Sequence, residues 1–343
     1  WLMVTGVQTC ALPIWFFMRN KSKLQIVLLA LLLIFPINIL AYSEHVISGG
    51  NTIGIEVNSK GVMIVGFYKV NDNYVAKDAG FVVGDVILEV NDNKVDSISS
   101  MVSLIGENEG IVKFRVLRNG KNKDVSMRAV RDSDGVLKTG LYVKDKINGI
   151  GTLTYIDPES RVFGALGHEI LESNTISKFE IKDGKIYDAY VSSITKSRNG
   201  KAGEKNAVYD KNDIYGIVEE NEISGIFGKY SKDISKMDVI EVGKINDITT
   251  GKAYIRTVID NDKIEDFDIN IINLDTNSKT KNILFEITNK RLLEKTGGVV
   301  QGMSGSPIIQ NNKIIGAVNY VIVNDTSKGY GIFITTMLEE GDK

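Results

Sequence analysis

The stretch Gly302-Met303-Ser304-Gly305-Ser306-Pro307 places a hydroxyl in a tight turn between two apolar segments. Val299-Val300 precedes it and Ile308-Ile309 follows it, so the pattern predicts strand, turn and strand. Such a turn exposes a serine beside backbone N–H groups, which is what a nucleophile needs to attack a carbonyl and to hold the resulting oxyanion. An ordinary Gly/Ser hairpin turn is the alternative interpretation.

A base for this serine has to come from elsewhere in the chain. His168 lies in Phe163-Gly164-Ala165-Leu166-Gly167-His168-Glu169-Ile170, where small residues leave room around an imidazole. The other histidine, His45, lies near the N-terminus. Because the pKa of histidine is near neutral, His168 is the candidate general base, although a packed core histidine is the alternative. The long separation allows Ser304 and His168 to come from two different barrels with the site between them.

Composition excludes several classes of function. The 343 residues carry 41 Lys+Arg against 43 Asp+Glu, a net charge of −2, which argues against a nucleic-acid-binding surface. The single cysteine, Cys10, excludes an intrachain disulfide and a cysteine-based metal cage, and two histidines argue against a structural zinc site. The chain has neither a dinucleotide fingerprint nor a Walker A motif. We therefore expect no metal and no organic cofactor.

The N-terminal region reads as two segments. Residues 18–41 start at Met18 with basic residues and continue as an apolar run to Leu40, which is the layout of a signal peptide or signal-anchor and predicts export. Cleavage after Ala41 and retention in the membrane both stay open. Residues 1–17 lack helix or strand periodicity, and residues 4–14 resemble translated sequencing-adapter DNA. Our hypothesis is that 1–17 is a non-native segment and that the native protein starts at Met18.

The rest of the chain divides at a polar break, Asp132-Ser133-Asp134-Gly135, which we predict to be a linker. Residues 46–131 combine short strands with one amphipathic helix, and the pattern predicts separate strands over 52–57 and 61–67. Residues 132–343 alternate short strands with Asn, Asp, Gly and Lys turns, which favours a barrel or sandwich pair. The fold class predicted is therefore mainly β, with an α+β domain first.

The first domain resembles a PDZ domain of the bacterial protease type. Two strings carry the resemblance: Lys60-Gly61-Val62-Met63-Ile64-Val65 and Ala76-Lys77-Asp78-Ala79-Gly80-Phe81-Val82-Val83-Gly84-Asp85-Val86-Ile87-Leu88-Glu89-Val90-Asn91. PDZ domains bind a peptide as an added strand, with its terminal carboxylate in a nest of backbone N–H groups. The resemblance implies that Gly61, Val62, Met63 and Ile64 form the carboxylate-binding loop and the first pairing strand.

The second domain extends the resemblance to one family. Four strings carry it: Gly140-Leu141-Tyr142-Val143, Gly149-Ile150-Gly151-Thr152-Leu153-Thr154, Phe163-Gly164-Ala165-Leu166-Gly167-His168 and Thr296-Gly297-Gly298-Val299-Val300-Gln301-Gly302-Met303-Ser304-Gly305-Ser306-Pro307. Together with the PDZ strings and the signal segment, they resemble the stage IV sporulation protein B peptidases, which are PDZ-bearing serine peptidases of endospore-forming bacteria. This implies a chymotrypsin-like double β-barrel over 132–343 that hydrolyses peptide bonds.

The same resemblance implies site residues. Ser304 would be the nucleophile, His168 the general base, and the N–H groups of Gly302 and Ser304 the oxyanion donors. The acidic third member of the family lies fifteen residues before the serine, a position held here by Asn289. An amide can accept a hydrogen bond from the imidazole but cannot stabilise the imidazolium by charge. Glu286 and Glu294 are the nearby acids that could take over.

The resemblance also implies a biological role. Members of the family are exported into the forespore intermembrane space and cleave themselves. They then cut a regulatory partner of an intramembrane metalloprotease, which triggers maturation of a late sporulation sigma factor. Two alternatives stay open: a PDZ-based binding or regulatory protein with a weakened peptidase domain, and a general envelope quality-control protease.

Overall fold

The computed structural model describes residues 42–106 and 110–342, and strands dominate both stretches. The predicted segments 1–17 and 18–41 lie outside the described residues. Within 42–106 and 110–342, no helix combines the length and the apolar character required to cross a bilayer.

The elements follow one another with short connections. Residues 42–140 form β1 (His45–Ser48), β2 (Thr52–Phe67), α1 (Val75–Asp78), β3 (Val86–Val90), β4 (Asn93–Lys94), α2 (Ile98–Gly106), β5 (Ile111–Arg118), β6 (Lys121–Arg128), β7 (Val130–Arg131) and β8 (Leu137–Lys138). Residues 141–230 form β9 (Leu141–Ile156), β10 (Val162–Ala165), β11 (Leu171–Glu172), β12 (Ser177–Lys178), β13 (Ile181–Thr195), β14 (Gly203–Glu222) and β15 (Gly225–Tyr230). The remainder forms β16 (Val239–Val242), a 3-10 turn (Ile245–Asp247), β17 (Gly251–Val258), β18 (Ile264–Leu274), β19 (Ile283–Ile287), α3 (Lys290–Thr296), β20 (Val300–Gln301), β21 (Pro307–Gln310), β22 (Lys313–Val321), β23 (Lys328–Phe333) and α4 (Ile334–Gly341).

Two closed antiparallel barrels make up the larger domain. The first runs β9, β2, β13, β14, β15 and β10, and returns to β9. The second runs β17, β18, β19, β23, β22 and β21, and returns to β17. Each barrel has its own apolar core, with Ile55 and Phe163 in the first and Ile269 and Phe285 in the second. Closure leaves neither ring with a free edge, and the predicted double β-barrel is confirmed. Its predicted bounds of 132–343 are too narrow, because β2, which lies in the segment predicted as the PDZ domain, closes the first barrel.

The two barrels are joined by pairing and by packing. β1 pairs with β9 of the first barrel and with β16, which runs parallel to β22 of the second. The apolar face of α4, with Ile334 and Met337, packs in a core cluster that contains Tyr155 of the first barrel and Ile332 of the second. Ser304 and His168, which lie on different barrels, are therefore held by a shared interface.

The PDZ domain and the first barrel share one continuous strand, β2. β2 is one continuous strand, so the predicted separation into strands 52–57 and 61–67 is wrong. Instead, its register against β9 shifts between Asn58 and Met63, which is a bulge that redirects the strand. The turn Asn119-Gly120 between β5 and β6 has positive φ at both residues, as a type I′ turn requires and as an Asn-Gly pair permits. The polar break at 132–135 forms the turn of the hairpin between β7 and β8.

Candidate active site

The turn that carries Ser304 leaves the second barrel and docks on the first. The carbonyl of Ser304 accepts a hydrogen bond from the N–H of Thr152 on β9 at 2.9 Å. Gly305 has a φ of +91°, and a Cβ there would lie 2.1 Å from the carbonyl oxygen of Thr152. Only glycine permits this close approach. Gly305 is therefore needed for docking of the turn that exposes Ser304.

Hydrogen bonds inside the turn set the direction of its amides. The N–H of Met303 donates to Val300 O at 3.1 Å, and the N–H of Ser306 donates to Met303 O at 2.9 Å. The hydroxyl of Thr152 donates to the carbonyl of Gly302 at 2.7 Å. Within the described part of the chain, the N–H of Ser304 has no acceptor. This amide is therefore available to a developing oxyanion.

His168 follows β10 on a loop bent by two left-handed residues. Leu166 has a φ of 71° and Gly167 a φ of 69°. A Cβ at Gly167 would lie 3.4 Å from the Cβ of Asn319, so the loop passes close to β22 of the second barrel. The imidazole stacks on the ring of Tyr320, with 5.6 Å between the centroids and an interplanar angle of 24°. The base of one barrel therefore rests on an aromatic side chain of the other.

The backbone fixes the tautomer of this histidine. Nδ1 of His168 lies 2.8 Å from the carbonyl oxygen of Glu169, and since a carbonyl can only accept, Nδ1 carries the hydrogen. In the neutral ring this leaves the lone pair on Nε2, where a general base needs it. Burial lowers the pKa of His168 below its usual 6.5, which favours the neutral form at pH 7.

Ser304, His168 and Gly302 line one cavity of about 640 Å³ between the barrels. The hydroxyl of Ser304 donates to the carbonyl of Asn319 at 3.3 Å, and no hydrogen bond joins it to His168 in the part of the chain that is described. The remaining lining is mostly aliphatic or aromatic: Ile55, Ile147, Ile150, Leu166, Ile170, Leu171, Val299, Val300, Tyr320, Val321 and Val323. Glu169 is the charged side chain among the lining residues. The structure thus brings three of the four predicted catalytic positions together.

Asn289, the expected third member of the catalytic triad, caps a helix instead. Its side-chain oxygen accepts a hydrogen bond from the N–H of Leu292 at 3.0 Å, which makes Asn289 the N-cap of α3. Neither Asn289 nor the alternative acids Glu286 and Glu294 lines the cavity. We therefore correct the expectation that position 289 orients the imidazole. An N-cap carboxamide is fixed by the helix that it caps. The carbonyl of Glu169 accepts the hydrogen bond from Nδ1 of His168.

The predicted peptide-binding residues Gly61, Val62, Met63 and Ile64 lie in β2, and at Met63 and Ile64 both sides of the strand are hydrogen-bonded. Met63 pairs with Val86 of β3 on one side and with Lys144 of β9 on the other. A Cβ at Gly61 would lie 2.2 Å from the carbonyl oxygen of Ile87, so this glycine is required by packing between strands. The expectation of a free pairing strand is therefore corrected: the chain itself occupies that edge.

The occupying segment is the start of β9. It runs antiparallel to β2, with Phe67 opposite Leu141 and Ile64 opposite Val143. Leu141 is buried in the PDZ core beside Met101 of α2, and the carboxylate of Asp145 accepts the N–H of Ile98 at the start of α2 at 2.8 Å. Strand pairing and contact with the helix are what a bound peptide makes in a PDZ groove. In this structure those contacts belong to the protein's own backbone.

Several residues that shape the site were missed by sequence reasoning. Tyr320 and Asn319 lie on a buried strand, where an aromatic residue and an amide read as ordinary β-sheet content. The side-chain oxygen of Asn319 is buried and has no hydrogen-bond partner among the described residues. Thr152 and Glu169 lie inside two of the quoted strings, yet a hydroxyl or a backbone carbonyl gains its role only from the distance to its partner.

Comparison with known proteins gives two family matches. The SpoIVB peptidase S55 family matches residues 135–338, and the PDZ domain family matches residues 52–129. Among solved structures, the PDZ domain of the SdrC-like protein from Listeria monocytogenes is similar at 22% identity, with a TM-score of 0.22, over 25% of this chain and 90% of that one. No curated protein matches the chain significantly.

The S55 match spans more than half of the chain and includes Ser304, His168, all strands of the second barrel and all strands of the first except β2. The protein is thus a serine peptidase, a hydrolase whose substrates are proteins or peptides. It also carries a PDZ domain, whose first strand, β2, continues from the first barrel. The chain belongs to the SpoIVB peptidase S55 family.

Proposed function

We propose that Ser304 is the nucleophile and His168 the general base of this peptidase. The observation that carries the proposal is the common cavity: a serine with an unpaired amide and a half-buried histidine with Nε2 free for a proton line one space between two barrels. The serine hydroxyl has to turn from Asn319 toward the imidazole when substrate binds. Catalytic hydrogen bonds are often long in free enzymes and tighten in the complex.

The chemistry follows from this arrangement. Nε2 of His168 takes the proton of Ser304 as Oγ adds to the scissile carbonyl carbon, and the N–H groups of Gly302 and Ser304 hold the oxyanion. The imidazolium then protonates the departing amine, which leaves an acyl-serine ester. Water, deprotonated by Nε2, attacks the ester and releases the acid with the hydroxyl restored. Throughout the cycle Nδ1 keeps its hydrogen and donates it to the carbonyl of Glu169.

The cavity lining favours an apolar peptide segment as substrate. Val299 and Val300 form one part of the wall and Tyr320 and Val321 another, so charged side chains there would lose hydration without a partner. A volume of about 640 Å³ is in the range of sites that bind small ligands and can hold more than one aliphatic side chain.

We propose further that the protein is an exported endopeptidase that cleaves itself and then cuts a regulatory membrane-protein partner during sporulation. Membership of the S55 family supports this role, and the basic-then-apolar segment 18–41 supports export with possible retention in the membrane. On this proposal the site of action is the forespore intermembrane space, and the cut partner regulates an intramembrane metalloprotease.

The test compares the full chain with Ser304→Ala, His168→Ala and the matched control His45→Ala, whose histidine is exposed. Mass spectrometry follows self-cleavage, and a fluorophosphonate probe follows activation of Ser304. Loss of the serine or the base costs on the order of 10⁶ in rate in subtilisin, so both site variants should be inert while His45→Ala behaves as wild type. Normal processing by the Ser304→Ala protein would overturn the assignment. Broad degradation of unfolded proteins would favour quality control instead.

A further inference from the structure

A lysine is buried directly behind the turn that carries Ser304. Lys205 lies on β14 and is 4% exposed. It pairs with Ile194 of β13, while its neighbour Glu204 pairs with Gln301 just before the turn. Lysine is among the residues that are almost never fully buried unless paired, so its position calls for a reason.

The amine of Lys205 contacts hydroxyl groups rather than carboxylates. Nζ lies 2.8 Å from Oγ1 of Thr257 and 3.5 Å from Oγ1 of Thr152. The hydroxyl of Ser306 in the turn donates to Oγ1 of Thr257 at 2.9 Å. Across residues 42–106 and 110–342, no acidic side chain forms an ion pair with Lys205. Burial without a counter-charge lowers the pKa of Lys205 to about 7.

This cluster, comprising Lys205, Thr152, Thr257 and Ser306, reaches the oxyanion turn in two ways. The hydroxyl of Thr152, next to Nζ, donates to the carbonyl of Gly302 at 2.7 Å. The aliphatic stem of Lys205 packs against Gly302, because a Cβ there would lie 3.1 to 3.3 Å from the stem carbons. Gly302 has a φ of +91°, a conformation that glycine adopts freely because it has no side chain. The orientation of its peptide planes therefore depends on these neighbours.

We propose that Lys205 is a positioning residue for the oxyanion turn. Its stem supports Gly302 from below, and its amine orients the hydroxyl of Thr152 that holds the Gly302 carbonyl. The amides of Gly302 and Ser304 consequently stay aimed into the cavity. The inference rests on the proposed roles of Ser304 and Gly302 and adds a residue that touches neither substrate nor base.

A positioning role differs from filling space in what it does to the reaction. An oxyanion donor interacts with charge that develops in the transition state, so a misplaced donor lowers kcat with little effect on KM. A packing defect lowers the free energy of unfolding of the whole fold. It also weakens binding of the substrate and of the transition state to a similar extent. The two roles therefore separate in kinetics and in stability.

The experiment uses the full chain with Lys205→Met, which keeps an unbranched stem and removes the amine. Thr257→Val, which removes an anchor of the amine but leaves the lysine, is the companion. Since loss of one oxyanion donor costs about 10² to 10³ in kcat, displacement of the turn should cost roughly 10- to 100-fold for Lys205→Met and less for Thr257→Val. KM should change less than about threefold.

A peptide boronate, which forms a tetrahedral adduct on the serine, and the matching product peptide complete the design. Boronate affinity should fall in parallel with kcat, whereas product affinity and the melting temperature should be kept. Unchanged kcat and boronate affinity in Lys205→Met would overturn the inference, as would an equal loss of boronate and product affinity with a lower melting temperature. If Lys205→Met fails to fold, the same criteria apply to Thr257→Val. A wild-type protein that the boronate does not inhibit would instead defeat the proposed function.

Discussion

The hydroxyl of Ser304 donates to the backbone carbonyl of Asn319 at 3.3 Å, across from the imidazole of His168 that lines the same cavity. The next residue on that strand, Tyr320, stacks on the imidazole. One short segment of β22 therefore contacts both proposed catalytic side chains. Movement of β22 relative to the His168 loop would disturb the nucleophile and the base together.

Tyr320 is expected to hold the imidazole through its ring rather than its hydroxyl. Tyr320→Phe keeps the stacking surface and should retain activity within about twofold, whereas Tyr320→Ala should lower kcat roughly tenfold as the base loses its fixed orientation. Steady-state kinetics on a short ester or peptide substrate checks both variants. A Phe variant as impaired as the Ala variant would assign the role to the hydroxyl instead.

Asn289 should matter for stability rather than for rate. Asn289→Asp retains an N-cap acceptor and should leave kcat and the free energy of unfolding nearly unchanged. Asn289→Ala removes the acceptor of the Leu292 N–H and should cost about 1 kcal/mol of stability. Denaturant unfolding and kinetics on the two variants test this expectation. A large acceleration in Asn289→Asp would return position 289 to the catalytic machinery.

The acid limb of the pH profile should lie below pH 6.5. Burial lowers the pKa of His168, and the enzyme needs the neutral ring, so kcat/KM should rise with pH through a pKa below 6.5 and then level off. In the unfolded chain His168 keeps the higher pKa and binds more protons than in the folded state. The free energy of unfolding should therefore fall as the pH falls from 6.5 toward the pKa of His168 in the folded state. An acid limb centred above pH 7 would contradict the placement of His168.

Gly61 should be a structural position. Gly61→Ala places a Cβ 2.2 Å from the carbonyl oxygen of Ile87 and should destabilise the PDZ domain by more than 2 kcal/mol, roughly the cost of forcing backbone strain. Gly106→Ala is the control, because a Cβ there meets nothing within 4 Å. Thermal unfolding compares the stability of the two variants, and hydrogen exchange in β2 and β3 measures the local loss of stability. Normal stability with selective loss of peptide binding would restore the carboxylate-loop interpretation.

The occupied PDZ groove leads to a prediction for peptide binding. Val143→Asp should weaken the packing of the start of β9 in the PDZ groove and partly release this segment. The affinity for an extended peptide with an apolar C-terminus should therefore rise. Tyr142→Asp changes the exposed neighbour on the opposite face and should leave the affinity unchanged. Fluorescence anisotropy with a labelled peptide measures both. Equal affinities in wild type and Val143→Asp would mean that β9 does not compete with peptides.

The sequence by itself determined the chemistry and much of the local structure. The order of residues in Gly302–Pro307 specified the turn, because glycine alone tolerates the positive φ and the 2.1 Å approach at Gly305. The Asn119-Gly120 hairpin, the strand at Ile283–Ile287 and the helix ending at Gly106 likewise follow from local periodicity and turn residues. These features depend on neighbours along the chain, which a sequence displays directly.

Only the tertiary structure decided which groups act on Ser304 and His168. Asn289 lies where the family resemblance implies a third member, yet its side chain caps a helix. The tautomer of His168 is fixed instead by a backbone carbonyl that no sequence pattern marks. The PDZ edge is closed by β9, which is far from β2 in sequence, and Lys205 gains its place only where β9, β14 and β17 converge. Long-range strand pairing creates these contacts, because it joins residues whose types give no sign that they will meet.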